Sequence, residues 1–423
     1  MTKTILLATT GESPQVVTET LYAIHQQQGD WPAEIFLITT TVGRKRAVDG
    51  LINDGHLQRL CDEIERPMPR FDLNHVWVVP NAKGEPVEDA RSLEDHQALG
   101  DFIMTKVRDL TQNGDAGDGA DTRLHASLAG GRKTMTFYLG YAMSLFGRHQ
   151  DRLTHVLVNK RCYEGASFWF PSLARDHRYV KDVKGEFIRD EFGNPADASQ
   201  AEITLADIPF IRHRAELPKI LLSKSERLEF SRLVDLFNLA ADPEDLTVTI
   251  DIDEAEIVVA SDRYRIRETF TPAPLDLAMY LLFARSHLAG TEIRRPAKGS
   301  ADGHLLREYL QELLPLLGLP VMAEDEATLD GLERIEHHQD QSFDNEVRVA
   351  GKTLQALKGD QSNMDNFRGV GITQSWFDNR RTELRKAFSE RLPEPLANWL
   401  LPSADTKGGD YGLPLEKRQL VIR

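Results

Sequence analysis

A chain of 423 residues is longer than one compact core supports, which predicts two or three domains. Its 41% hydrophobic and 28% charged content is that of an ordinary soluble protein, and no run approaches the roughly 18–20 apolar residues that span a bilayer. The formal net charge of −15 argues against a protein that coats nucleic acid without preference, because phosphate binding follows positive fields; any anionic ligand must be met by a focused site.

The opening MTKTILLATTGESP is apolar for only a few residues and carries no cleavage pattern, so no secretory signal is expected. Residues 4–9 form a short apolar run that reads as a buried strand. Ser13 then stands as an N-cap before Pro14, and apolar positions 16, 17, 21 and 24 carry a helical spacing. Residues 34–40 predict the second strand and 44–64 the second helix, followed by a strand at 75–80 and a helix at 93–110. A linker rich in Gly, Asp and Asn (112–121) leads to a strand at 123–127, a helix at 132–146 and a strand at 154–158. Five apolar strands separated by helices predict an α/β fold: a Rossmann-like, doubly wound parallel sheet with right-handed crossovers. Cys61 and Cys162 lie far apart and outside metal-ligand spacings, so neither disulfides nor zinc are expected, and the chain reads as cytoplasmic.

The pattern loosens beyond residue 175, and the first domain is taken as 1–205. The second, 206–423, starts with a helix at 225–239 and two strand-like runs at 246–252 and 256–260. Thr271 with nearby prolines opens a further helix, and 290–366 reads as a polar, partly helical insertion. Residues 375–388 make an amphipathic basic helix with Phe377, Leu384 and Phe388 on one face and Arg380, Arg381, Arg385 and Lys386 on the other. Residues 408–413 and 420–422 read as a terminal hairpin. That order fits a winged helix-turn-helix α+β domain, and its basic helix makes DNA a possible partner.

The dinucleotide fingerprint is missing: after the first strand the chain reads ATTGESP, and Gly130-Gly131-Arg132-Lys133 lacks the spacing of a P-loop. Gly130 and Gly131 would still let backbone approach an anion, the helix behind them adds its dipole, and Lys133 supplies a point charge. By residue type alone, a tight turn with solvated cations weighs equally. The polar loop Thr9-Thr10-Gly11-Glu12-Ser13 on the same rim of the sheet tilts the balance to a ligand site. Arg44, Lys45, Asn159 and Lys160 also follow strand ends, though solvated positions suit them as well.

The stretches ATTGESPQVVTETL (8–21) and SLAGGRKTM (127–135) resemble the CRISPR-associated Rossmann-fold (CARF) proteins, in particular the ring-nuclease-like branch with a C-terminal winged helix. The resemblance covers roughly residues 1–175. It implies a homodimer that binds cyclic oligoadenylate across its two-fold axis, most readily cyclic tetra-adenylate, without a cofactor or metal. Carried over residue by residue, it points to Thr10, Gly11 and Ser13 in the first loop and to Ser127, Gly130, Gly131, Arg132, Lys133 and Thr134 in the second, with Ser13 and Lys133 as the catalytic pair. The implied reaction is attack of a ribose 2′-OH on the neighbouring phosphate. The competing reading is a regulator that senses the ring without cutting it and binds DNA through Arg380, Arg381, Arg385 and Lys386. No membrane partner is expected.

Overall fold

The computed structural model describes residues 3–88, 92–112, 122–165, 167–182, 184–222, 229–321, 323, 371–404 and 409–423. The linker at 113–121 and the part of the expected insertion from 324 to 366 lie outside the described residues, as does Gly408 of the expected hairpin. The chain divides into two compact units, Met1–Ala215 with Leu221–Ser231, and Glu216–Ile220 with Arg232–Arg423. A boundary at 205 would run through a strand of the first sheet, described next.

The first unit carries a six-stranded sheet in the order β3-β2-β1-β4-β5-β6. Its strands are β1 (Lys3–Thr9), β2 (Glu34–Thr39), β3 (Val76–Val78), β4 (Thr122–Ser127), β5 (Arg152–Val158) and β6 (Ile203–Asp207). The first five are mutually parallel, and β6 runs antiparallel to β5, Thr154 facing Asp207 and Val158 facing Ile203. Helices on both faces bury the inner strands, and β1 and β2 accordingly read as apolar runs; Leu6 and Leu7 of β1 point to opposite faces and are both fully buried. Two crossovers wind from β1 outward to β3, and the next strand, β4, returns to the other side of β1. The crevice between β1 and β4 is therefore the topological switch point, where ligands of open α/β sheets sit.

Helices α1 (Gln15–Gln26), α2 (Thr41–Ala47), α3 (His56–Glu63), α4 (Leu93–Gln112) and α5 (Lys133–Phe146) join these strands. The single helix expected over 44–64 is in fact three pieces. Thr40 caps α2 with its hydroxyl on the Gly43 N–H at 3.3 Å, a π-turn spans Val48–Asn53, and Gly55 at φ +69° breaks the run before α3. Glycine alone adopts that angle without strain. The expected Ser13 cap is also displaced. Thr10 folds its hydroxyl onto the Ser13 carbonyl at 3.0 Å, and Pro14 becomes the N-cap, its carbonyl accepting the Val17 N–H at 3.1 Å.

In the second unit β7 (Thr247–Asp251), β8 (Glu256–Ser261) and β9 (Ile266–Phe270) form an antiparallel meander. The expected terminal hairpin is replaced by β12 (Leu420–Ile422), which pairs in parallel with β7 and gives the order β12-β7-β8-β9. Its Leu420 side chain is buried, and an edge strand beside β7 hides it better than a free hairpin would. A short antiparallel pair joins β10 (Ala301–Asp302) to β11 (Ile372–Thr373). The described helices are α6 (Phe230–Ala241), α7 (Pro274–Ala289), α8 (Gly303–Leu316), α9 (Gln374–Arg391) and α10 (Glu394–Trp399). Ala273 rather than Thr271 caps α7, because the residue before Pro274 is held extended (ψ 144°). Tyr280, Phe283, Tyr309, Phe377 and Phe388 are fully buried, with edge-on pairs at 5.4 Å for Tyr280–Phe388 and 5.8 Å for Phe283–Phe377.

Candidate functional site

Three loops leave the carboxyl ends of β1, β2 and β4 and meet at the switch point. Thr9 donates its hydroxyl to the Gly130 carbonyl at 2.6 Å and ties the first loop to the third. A Cβ on Gly130 would stand 2.9 Å from the Thr9 carbonyl oxygen, and one on Gly11 would touch the Gly131 Cα at 3.6 Å. Gly131 sits at φ +93°. The loop after β2 joins them through Gly43, where a Cβ would fall 2.6 Å from the Gly11 carbonyl oxygen and 2.0 Å from Thr39 Oγ1. At Gly130 and Gly43 backbone packs too closely on backbone for any residue but glycine.

Above this floor the rim is cationic. Arg132 is the N-cap residue of α5 in an extended conformation and makes no side-chain cap, so the leading N–H groups of α5 have no capping oxygen from it. Arg132 and Lys133 are exposed, and Lys133 makes no ion pair among the described residues. Thr134 is half-buried. Arg44 stands exposed on the first turns of α2, while its neighbour Lys45 is held by Asp49 at 2.7 Å. Ser13 is exposed at the edge of the first loop, and Thr10 is fully buried, its backbone N–H on the Ile38 carbonyl at 3.0 Å. Positive charge at a helix N-terminus is unfavourable until an anion arrives, and the exposed rim leaves room for one.

Two expected residues are spent elsewhere. Ser127 is fully buried with its hydroxyl 3.3 Å from that of Thr20 on α1, beneath the rim. Asn159 accepts the Glu202 N–H on its side-chain oxygen at 3.2 Å and so helps to hold β6 against β5. In the second unit Arg380 pairs with Asp276 at 3.0 Å, Arg381 donates to the Pro402 carbonyl at 2.9 Å, Arg385 pairs with Glu394, and Lys386 with Glu383 at 2.6 Å. These four cations, and Arg391 at the end of α9, which pairs with Glu268 at 3.7 Å, are thus engaged within that unit.

Sequence reasoning passed over Thr9 as a clamp, Gly43 as a spacer and Glu19 of α1. Glu19 is 9% exposed and makes no hydrogen bond or ion pair among the described residues; burial alone pushes its carboxyl up to about 8. It lines a cavity of about 240 Å³ with Ser13, Val16, Ala129, His155 and Gly165, on the α1 side of the same loops. A glutamate within VVTETL looks like any helix-surface acid, and only the packing of α1 against the sheet reveals its burial.

Fold and site together define a Rossmann-like α/β protein with exposed cations on the rim at its switch point. The family model described as CRISPR-associated protein NE0113 matches residues 13–238, over half of the chain, and the chain belongs to that family. No curated protein matches. Among solved structures, Csm6 from Enterococcus italicus bound to cyclic hexa-2′-fluoro-hexa-dAMP is 12% identical, with 92% of this chain and 95% of that one covered at a TM-score of 0.30. A protein from Listeria monocytogenes described as a UDP-N-acetylglucosamine 2-epimerase is 10% identical, with 91% and 96% covered at a TM-score of 0.21. Scores this low bear on neither fold nor ligand. Among the described residues, no helix is long and apolar enough to cross a membrane.

Proposed function

We propose that this chain binds cyclic oligoadenylate, a ring of four adenylates, between two copies of its first unit, and that it is a ring nuclease whose cleavage turns CRISPR signalling off. The observation that carries the reading is the meeting of the three glycine-bearing loops beneath Lys133 and the open N-terminus of α5. A two-fold ring offers each copy a phosphodiester and its ribose, and a glycine floor lets the backbone come close to both. In the reaction a ribose 2′-oxygen attacks the adjacent phosphorus and loses its proton, and the bond to the 5′-oxygen breaks. The products are a 2′,3′-cyclic phosphate and a 5′-hydroxyl that has gained a proton. Lys133, the N–H groups of α5 and Arg132 stabilise the charge that grows on the phosphate oxygens. Ser13 at the loop edge holds ribose or phosphate in line.

The test is incubation of the purified protein with labelled cyclic tetra-adenylate in EDTA. Linear product bearing a 2′,3′-cyclic phosphate, lost in Lys133→Ala, is expected. An intact ring together with ligand-dependent retardation of promoter DNA would replace the nuclease by a sensing regulator. The engagement of Arg380, Arg381, Arg385 and Lys386 within their own unit favours the nuclease.

A further inference from the structure

The cavity beside the first loop does not include Lys133 and is not needed to hold a phosphate. At about 240 Å³ it is smaller than the roughly 300–1,000 Å³ pockets that take drug-sized ligands, a size suited to one flat heterocycle rather than to a whole nucleotide. Its walls include Val16, Ala129, Val156 and Gly165, with Gln15 one turn before Glu19 on α1 and Ser13 at the loop that faces the rim. Glu19 stands in this wall, nine-tenths buried and without a hydrogen-bond or ion-pair partner among the described residues. An acid so placed is normally paired, because an unpaired buried polar group is costly; one that is not paired lacks a ligand.

Resting on the function proposed above, we infer that Glu19 is the base-reading residue of the ring site: its carboxyl takes the hydrogen-bonding edge of one adenine, which enters the cavity while the linked phosphate lies on the Lys133 rim. Adenine presents an exocyclic amine donor beside a ring-nitrogen acceptor. A neutral carboxyl matches both at once, its C=O accepting from the amine and its O–H donating to the ring nitrogen. An ionised carboxylate only accepts and would face the ring-nitrogen lone pair. Burial supplies the neutral form at physiological pH, since the Glu19 carboxyl loses its proton only at about 8. The other titratable groups on the cavity wall are His155 of β5 and Glu164 of the loop beyond it. Of the elements packed on α1, β6 brings Asp207, held by Arg152 at 2.8 Å, and α3 brings Glu63, which bonds Ser172 and acts on Tyr22.

The probe is cyclic tetra-adenylate carrying 2′-fluoro in place of every 2′-hydroxyl, which 2′-oxygen attack cannot cut. Its dissociation constant is measured from pH 6 to pH 10 for the unaltered chain, Glu19→Gln and Glu19→Leu, each first checked by a melting curve. The unaltered chain is expected to bind with constant affinity below pH 8 and to lose about tenfold per pH unit above it. Glu19→Gln, which keeps a donor and an acceptor, His155 and Glu164, is expected to bind without that loss. Glu19→Leu is expected to bind at least tenfold more weakly at pH 7. Equal binding by Glu19→Leu, or the same pH profile in Glu19→Gln, overturns the assignment while leaving the proposed function in place. No binding by the unaltered chain overturns both.

Discussion

At the residue scale the site rests on two side chains in opposite electrostatic situations. Among the described residues Lys133 is a cation without an ion-pair partner, so its removal relieves the folded chain and costs only the ligand. Lys133→Ala is expected to lower single-turnover cleavage of the ring about 10²–10³-fold, the range for losing one preorganised donor, with the melting temperature unchanged or raised. Glu19 carries its cost in the fold itself. Its carboxyl ionises near 4.5 in the unfolded chain and only near 8 when folded, so the folded state binds the extra proton between those values. Stability from this group is full below about pH 4.5 and declines as pH rises to 8. The melting temperature of Glu19→Gln minus that of the unaltered chain should therefore widen from pH 5 to pH 8 and level off above. A constant difference would show that Glu19 is ionised in the folded protein.

At the element scale the rim depends on how closely three loops approach. Gly43→Ala places a methyl 2.6 Å from the Gly11 carbonyl and must push the first loop off its seat. The expected result is a loss of about 1–3 kcal/mol by denaturant midpoint at constant slope, together with weaker ring binding. In the second unit α9 is a packing element as much as a charged one, with Trp376, Phe377, Leu384 and Phe388 buried. Arg380→Ala leaves Asp276 buried without its partner, and a loss of about 3–5 kcal/mol is expected from the same measurement. Periodicity made β1 and β2 legible, because strands buried on both faces are plain apolar runs. It hid β9, whose five residues IRETF carry two charges, one of them the buried Glu268 that pairs with Arg232. The Gly-Gly-Arg-Lys turn could be read from residue types, since its glycines and cations act locally. Glu19 and Gly43 could not, because their roles arise from neighbours far along the chain. Amphipathicity showed α9 but not that its cations face carboxylates and, for Arg381, a backbone carbonyl, most of which only the folded unit brings to them.

At the scale of the whole molecule the two units differ in how their sheets are assembled. The first sheet adds each strand after a crossover of modest length, except that β6 doubles back to seal the edge at β5. The second sheet depends on residues near the far end of the chain for its β12 edge. Removing residues 420–423 is expected to raise amide exchange across β7, which loses the partners Leu420↔Val248 and Ile422↔Ile250, while exchange in β1 stays as it was. Equal protection of β7 with and without those residues would show that the pairing contributes nothing.

That pairing also sets an order in time. Leu420 follows Val248 by 172 positions, a separation that dwarfs the few residues joining β7 to β8. On a ribosome adding about 5–20 residues per second, the meander waits on the order of ten seconds or longer before its last neighbour exists. Throughout that interval the backbone groups along one side of β7 face outward, the kind of open edge that recruits a strand from another nascent chain. The price of closing the second sheet late is a window for misassembly during synthesis, longer than the one β1 meets while Lys3 waits 119 positions for its partner Thr122.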